Sequence, residues 1–468
     1  MATSAFYSSD HVLDHFDEKD KGETLKFESF SEVCSFFEVD RCIKWIKENC
    51  FKRTALQLPD LFLNTAYDIA LYLEKETSAR IYLLADTSYR NCCVDDIAAE
   101  HAKCDSLIHF GEACLSAPSS RLPILYAFGQ QPIDLDHFSA TLNSQLQDEE
   151  IKKYNEFVFL YEANIASCST NMSLICRSLL SPDSRLYEAT VLEEPSDENL
   201  VHGVHLGRKI SMDIEMAKNP VLIFVGAANS PLLTLWLMTY VKFETILSYC
   251  PQSKNMCKIR SSSHQKLKKR LFLIEKVRDA NTIGLVVAAT GVKGFQDAIA
   301  RVRQLCKNSH KRLYVLSIGK INEAKLSNFA SDIDVFVLLS CPFGIVLDSS
   351  DFYKPVVSLF EAEIALNPDK TWYTGDGWTS EFGDFINDTI GESKDDEVDM
   401  SLISGKIRAT TIENGETSDK NKQVIEYTAG DYFNNRSWKG LEDDQSIEAD
   451  LSLQPGRKGI PISYDYQS

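Results

Sequence analysis

One short pattern occurs twice in this chain: an apolar run of strand length, a helical connector, and a second apolar run that stops at a cysteine. Arg80-Ile-Tyr-Leu-Leu84 leads to Asp105-Ser-Leu-Ile-His-Phe-Gly-Glu-Ala-Cys114, and Arg312-Leu-Tyr-Val-Leu316 leads to Asp334-Val-Phe-Val-Leu-Leu-Ser-Cys341. Such a sequence reads as a β-α-β unit, whose two strands run parallel. In a parallel sheet the strand C-termini share one edge, and crevices form there. Cys114 and Cys341 therefore fall on the edge where chemistry is expected. In the first unit Asp86 to Asn91 supplies turn formers, and Val94, Ile97, Ala98 and His101 recur at helical spacing. Asn91 as an N-cap places Cys92 and Cys93 in the first helical turn, where free amides and the helix dipole favour thiolate over thiol. Adjacent helical side chains point about 100° apart. One of the two thiols should then face the crevice and the other pack away, with Cys93 the candidate and Cys92 its alternative.

The remaining chain follows the same grammar. Residues 1–29 are polar and acidic. From Phe30 the segment SEVCSFFEVDRCIKWIKEN reads as a helix with Phe37, Ile43 and Ile46 on its apolar stripe, and Cys34, Cys42 and Cys50 read as core. Thr54 to Leu58 is a strand, Leu61 to Glu76 a helix, and Ile124 to Phe128 the closing strand of the block. A polar linker, Leu142 to Lys153, leads to strands at Phe157 to Tyr161, Arg185 to Leu192, Pro220 to Gly226 and Phe243 to Tyr249. Helices lie at Ser167 to Leu180, carrying Cys168 and Cys176 as core residues, and at Pro231 to Thr239. The third block has a strand from Thr282 to Ala289 and a helix from Gly294 to Lys307 with Cys306 in its core face. The expected architecture is α/β, with three related domains of parallel sheets flanked by helices at 30–150, 151–268 and 269–375. An acidic tail fills 376–468, with 20 acidic and 9 basic residues. Two aromatic-anchored segments, 432–441 and 455–464, are expected to dock from it on a folded surface.

The net charge of -19 argues against nucleic-acid binding, which needs clustered Lys and Arg. The short basic run Lys266 to Arg270 reads as a solvated helix face or an interdomain contact. No apolar run reaches the roughly 20 residues that a membrane helix requires. The first twenty residues lack the basic and apolar segments of a secretory signal, so a reducing, cytoplasmic setting is expected. There the 13 cysteines are better read as free, buried or metal-bound than as a disulfide framework. The loop Thr290-Gly-Val-Lys-Gly294 matches no phosphate-binding fingerprint, and His109, on a strand between apolar neighbours, reads as a satisfied core histidine. Three sheet-edge thiolates, Cys93, Cys114 and Cys341, with an open fourth position suit a [4Fe-4S] cluster, with zinc as the alternative.

Gln57-Leu-Pro-Asp60, the Ala85 to His101 stretch ADTSYRNCCVDDIAAEH, Leu107 to Ser116 (LIHFGEACLS), Ile333 to Pro342 (IDVFVLLSCP), Phe352 to Leu366 and the tail segments NRSWKGLE and PGRKGI together resemble the diphthamide biosynthesis protein 2 family. Its members are second subunits of a eukaryotic 2-(3-amino-3-carboxypropyl)histidine synthase. The resemblance implies three related α/β domains and a heterodimer with a paralogous subunit 1. It also implies a complex that uses a [4Fe-4S] cluster and S-adenosylmethionine to transfer a 3-amino-3-carboxypropyl group, as a radical, to a histidine of translation elongation factor 2. Catalytic members of the family supply one cysteine per domain. Here Cys93, or its neighbour Cys92, and Cys341 match the first and third, and the acidic loop after Leu192 carries no middle one. The implied role is accessory: Cys93, Cys114 and Cys341 hold a cluster that keeps the catalytic cluster of subunit 1 reduced, with diphthamide biosynthesis protein 3 as electron donor. The competing readings are a purely structural scaffold subunit and a stand-alone zinc or thiol-redox enzyme.

Overall fold

A computed structural model describes residues 27, 29–84, 92–118, 122–192, 204–209, 217–227, 229–261, 263–319, 321–348, 350–372, 377–391, 400–403 and 405, and the backbone of 459–460 and 463–464. The chain forms two compact units, Met1–Asn414 and Gly415–Ser468. Within the first unit, three separate parallel sheets are built from successive stretches of sequence. The first contains β1 (Arg53–Gln57), β2 (Arg80–Leu84), β3 (Ser106–Phe110) and β4 (Ile124–Ala127) in the order β2-β1-β3-β4.

The middle sheet is built from β5 (Glu156–Tyr161) and β6 (Arg185–Glu188), after which a small antiparallel sheet of β7 (Thr190–Val191), β8 (Val204–His205) and β9 (Arg208–Lys209) projects. β10 (Val221–Val225), β11 (Thr245–Cys250) and the antiparallel β12 (Asn255–Arg260) complete it in the order β12-β11-β10-β5-β6. The third sheet, β13 (Thr282–Val287), β14 (Arg312–Ser317), β15 (Val335–Leu339) and β16 (Val356–Ser358), is ordered β14-β13-β15-β16. Setting β12 aside, each of the three large sheets has its second strand outside its first and its third and fourth on the other side. The two Arg-X-Tyr runs are both outer strands, β2 and β14, and both cysteine-terminated runs are third strands. In the second unit, Gly459–Ile460 and Ser463–Tyr464 form a two-stranded antiparallel ladder.

Central strands are buried on both faces, as continuous runs such as Val221-Leu-Ile-Phe-Val225 and Val335-Phe-Val-Leu-Leu339 require. Helices Phe30–Phe36, Val39–Glu48 and Leu63–Thr77 cover one face of the first sheet, and Asp96–His101 covers the other. Helices Leu135–Leu146 and Ala166–Leu179 cover one face of the middle sheet. Pro231–Thr239, Ser263–Asp279, Phe295–Asn308 and Leu359–Leu366 enclose an apolar cluster shared by the middle and third sheets.

Four sequence expectations are corrected. The helix from Phe30 is interrupted by Glu38, whose φ of 51° is left-handed, and continues as a second helix; Cys42 is core but Cys50 is exposed. The stretch read as a linker, Leu142 to Lys153, is the end of a helix and a 3-10 turn. Leu142, Leu146 and Ile151 are buried against the middle sheet, an apolar spacing hidden by the surrounding Gln, Asp and Glu. The run Arg185 to Leu192 is two strands, β6 and β7, in different sheets. The region after Asp376 begins with packed structure: Trp378, Phe382 and Phe385 are buried in the third block's core, and Trp378 Nε1 donates to Glu361 at 3.0 Å. Segment 432–441 lies outside the described residues, as do the side chains of 455–464.

The basic run is an interdomain or solvated face only in part. Arg270 is 1% exposed, lies 3.8 Å from Glu361, and donates to the carbonyls of Val346 and Leu347. Glu361 in turn closes a capping box with Ser358 at the start of Leu359–Leu366.

Candidate metal centre

Three loop segments converge between the first and third sheets. The turn ahead of the helix Asp96–His101 brings Cys92 and Cys93, the loop after β3 brings Cys114, and β15 is followed within two residues by Cys341. Their sulfur atoms all lie within 4.8 Å of one another, and all four side chains are buried. Cys92 Sγ and Cys341 Sγ are 3.7 Å apart. The thiols named from the sequence, Cys93, Cys114 and Cys341, are thus brought together, and Cys92 joins them as a fourth.

Cys92 and Cys93 do not occupy a helix, which is why both can face one point. Asp95 caps the helix Asp96–His101 by accepting from Ala98 N at 3.0 Å, so the two cysteines lie in the turn ahead of it, and Asn91 lies outside the described residues. The expected 100° divergence of helical neighbours does not apply to them. The turn is tied down twice. Cys114 N donates to Cys92 O at 3.0 Å, joining two of the cysteine loops. Gln57, the last residue of β1, donates from Nε2 to Cys93 O at 2.7 Å and accepts from Asp95 N at 2.9 Å. The Cys341 end is shaped by Pro342 opening a 3-10 turn, in which Gly344 N donates to Cys341 O at 2.9 Å.

Two further loops close the site. The segment after β13, singled out in the sequence as TGVKG, packs on the first block: Lys293 N donates to Ala117 O at 2.8 Å, and Pro118 bridges Val292. A Cβ on Gly291 would stand 2.6 Å from Val94 O, so only glycine allows this approach. From the middle block comes the β8–β9 hairpin. Gly207, at φ +67°, lies where a Cβ would meet Leu115 Cβ at 2.2 Å. The middle block thus contributes a glycine contact beside Cys114; the acidic loop Glu193 to Glu198 lies outside the described residues.

The electrostatics set Cys114 apart from Cys92 and Cys93. Hydrogen bonds from Cys341, Cys92 and Cys93 hold the Cys114 thiol well below the ordinary range. Hydrogen bonds, first to Cys114 and then to Cys341, together with burial, hold Cys92 and Cys93 well above it. A buried group of thiols cannot carry several negative charges without a cation, because desolvation disfavours each of them. A coordinated metal reverses this, since a ligating thiol is deprotonated outright. A small cavity, about 10 Å³, is bordered by Cys92, Cys93, Cys114, Leu115, Tyr126 and Val292. Tyr126 is buried, and burial, followed by the charges on Cys114 and Cys93, pushes its hydroxyl upward.

His109, read as a satisfied core histidine, is fully buried, but both its ring nitrogens are without a hydrogen-bond partner among the described residues. It pairs in register with Gln57 on β1 and Tyr126 on β4, so the three form a row at the sheet's C-terminal edge, with its ring 5.8 Å from that of Tyr126. Cys306, Cys176 and Cys42 are core residues apart from the centre. Gln57, Tyr126 and Gly207 were not singled out as site residues in the sequence. Of these, Gln57 carried a usable signal, being a long amide at the end of a central strand.

The diphthamide synthesis protein profile matches residues 58–378. The chain is 42% identical to 2-(3-amino-3-carboxypropyl)histidine synthase subunit 2 of Caenorhabditis elegans over 99% of this chain and 98% of that one. The chain belongs to the diphthamide synthesis protein family. The subunit 2 of Gallus gallus is 31% identical, over 92% of each chain. Among solved structures, Dph2 from Pyrococcus horikoshii superposes with a TM-score of 0.55 at 19% identity, covering 74% of this chain and 94% of that one. A second structure, of the same protein with a 4Fe-4S cluster, gives 0.51 at 20% identity, covering 70% and 90%. At these identities the structural likeness concerns the diphthamide synthesis fold. No described helix is long and apolar enough to cross a membrane.

Proposed function

We propose that this chain is the iron-sulfur accessory subunit of the heterodimeric synthase that transfers a 3-amino-3-carboxypropyl group from S-adenosylmethionine to a histidine of translation elongation factor 2. The observation that carries the reading is the convergence of four buried thiols from three loop segments in a chain whose relatives are named as subunit 2 of that synthase. The donor set fits the group, since cysteine thiolates are the ligands of [4Fe-4S] clusters. Cys93, Cys114 and Cys341 hold it in this reading, and Cys92 completes the set. Bound there, such a cluster supplies one-electron chemistry. The chain's own part is to present thiolates beside Leu115, Tyr126 and Val292 and to take up a metal with release of thiol protons.

In this proposal the centre supports reduction of the catalytic cluster in subunit 1, with diphthamide biosynthesis protein 3 as electron donor and a cytoplasmic location. A second reading has its own support. Tetrahedral zinc with bonds of about 2.3 Å separates its sulfurs by about 3.8 Å, close to the 3.7 Å between Cys92 and Cys341. A cluster takes the same donors in a larger cage, and loops, unlike positions along one strand, can widen to it. Anaerobic reconstitution with iron and sulfide, followed by metal and sulfide analysis, decides between them. Four irons and four sulfides per chain with a reducible visible absorption are expected. Zinc bound tightly in their place, with no iron retained, overturns the cluster reading.

A further inference from the structure

We propose that Gln57 is the positioning residue of the metal centre, fixing where the thiols of Cys92 and Cys93 stand. The inference rests on the metal-binding reading for its consequence, though not for its geometry. Gln57 is 2% exposed and ends β1, the strand hydrogen-bonded to both β2 and β3. Its amide uses both ends on one short turn, Nε2 on Cys93 O at 2.7 Å and Oε1 on Asp95 N at 2.9 Å. Those two contacts span the peptide units on either side of Val94. They hold the backbone leaving Cys93 against the rigid first sheet, much as a pairing strand would.

The turn needs such a clamp because it has no other regular structure. It stands before the helix that starts at Asp96 and is not part of a strand. Its second tie is the bond from Cys114 N to Cys92 O, which links it to another ligand loop and not to the sheet. Gln57 is thus the side chain that transmits the fixed position of β1 to the cysteine pair. A primary amide is the right group: one end must donate to a carbonyl and the other accept from an N–H, and no carboxylate or hydrocarbon of this length does both. Where such a clamp is absent, a buried carbonyl and a buried N–H are left unpaired, and the turn must shift to find partners.

The test uses the full chain, reconstituted anaerobically, as wild type, Gln57→Glu and Gln57→Leu. Three measurements are made: hydrogen exchange of the 92–95 turn in the metal-free protein, the rate of metal loss to a chelator, and the reduced-state paramagnetic spectrum. Gln57→Leu is expected to raise turn exchange and chelator loss on the order of tenfold or more, the loss of two buried hydrogen bonds, and to change the spectrum. Gln57→Glu, measured at a pH high enough to ionise the buried carboxyl, keeps only the acceptor toward Asp95 N and is expected to lie between the two. If Gln57→Leu fails to fold, the Glu variant alone carries the test, with its exchange change confined to the turn. Unchanged turn exchange and an unchanged spectrum in a folded variant overturn the proposal. If wild type takes up no metal while Gln57→Leu still loosens the turn, the metal-binding reading fails and the clamp itself stands.

Discussion

Four thiols packed this closely need a cation to be ionised together, and that requirement makes single substitutions informative. Cys92→Ser, Cys93→Ser, Cys114→Ser and Cys341→Ser should each lower metal content per chain, whereas Cys306→Ser, buried in the helix Phe295–Asn308 away from the group, should not. Equal metal in all five purified variants would contradict the assignment. His109 gives a pH prediction for the metal-free protein. Burial lowers its pKa from 6.5 to about 4, with the charge on Cys114 opposing the shift. The unfolded chain therefore binds the extra proton first as pH falls, so stability from neutral His109 is complete above about 6.5 and is lost as pH drops towards about 4. The full effect is about 3 kcal/mol. His109→Phe keeps a ring of similar size, removes two unpaired nitrogens and should flatten that part of the stability-pH curve. Urea melts at several pH values measure it, and an equally steep fall in the variant assigns the pH dependence to other groups.

At the scale of elements, the sheet edge was legible because apolar runs such as Ser106 to Phe110 and Val335 to Leu339 have little choice but to be buried strands. The cysteines that follow them were then placed by topology. The Cys92–Cys93 turn was less legible. Asn91 and Asp95 are both competent caps, and local sequence cannot tell which one the tertiary contacts of Gln57 will select. The helix Leu135–Leu146 was hidden for a related reason, since its buried Phe138, Leu142 and Leu146 are diluted by polar residues facing water. Nothing local marks Gly207 either, because its partner Leu115 is distant in sequence. Gly207→Ala must move a Cβ that would otherwise stand 2.2 Å from Leu115 Cβ, in a backbone conformation at φ +67° that disfavours L side chains. The expected result is a folded protein less stable by about 1–3 kcal/mol, with faster metal loss because Leu115 adjoins Cys114. An unaltered melt and unaltered metal retention would show that the hairpin tip yields freely.

Across the whole first unit, the centre is held by a chain of contacts that begins far from it. Glu381, in the packed stretch after Trp378, accepts from Leu206 N at 3.1 Å and lies 2.9 Å from His205 Nδ1. Both partners belong to the β8–β9 hairpin. The hairpin's tip is Gly207, seated on Leu115, and its next residue, Arg208, is buried with its guanidinium donating to Leu206 O at 2.6 Å and Tyr161 O at 3.3 Å. Glu381 thus clasps the third block's C-terminal stretch to a middle-block hairpin that covers a first-block cysteine loop. Glu381→Ala leaves Leu206 N and the buried His205 imidazole without their acceptor, which should cost about 1–3 kcal/mol. If the clasp also secures the centre, chelator-driven metal loss should quicken in this variant more than in a surface control of equal stability loss. Thermal melts and metal-release rates on the same preparations separate the two effects. A lowered melt with metal release no faster than the control would confine Glu381 to the fold and remove the hairpin from the forces that hold the thiols together.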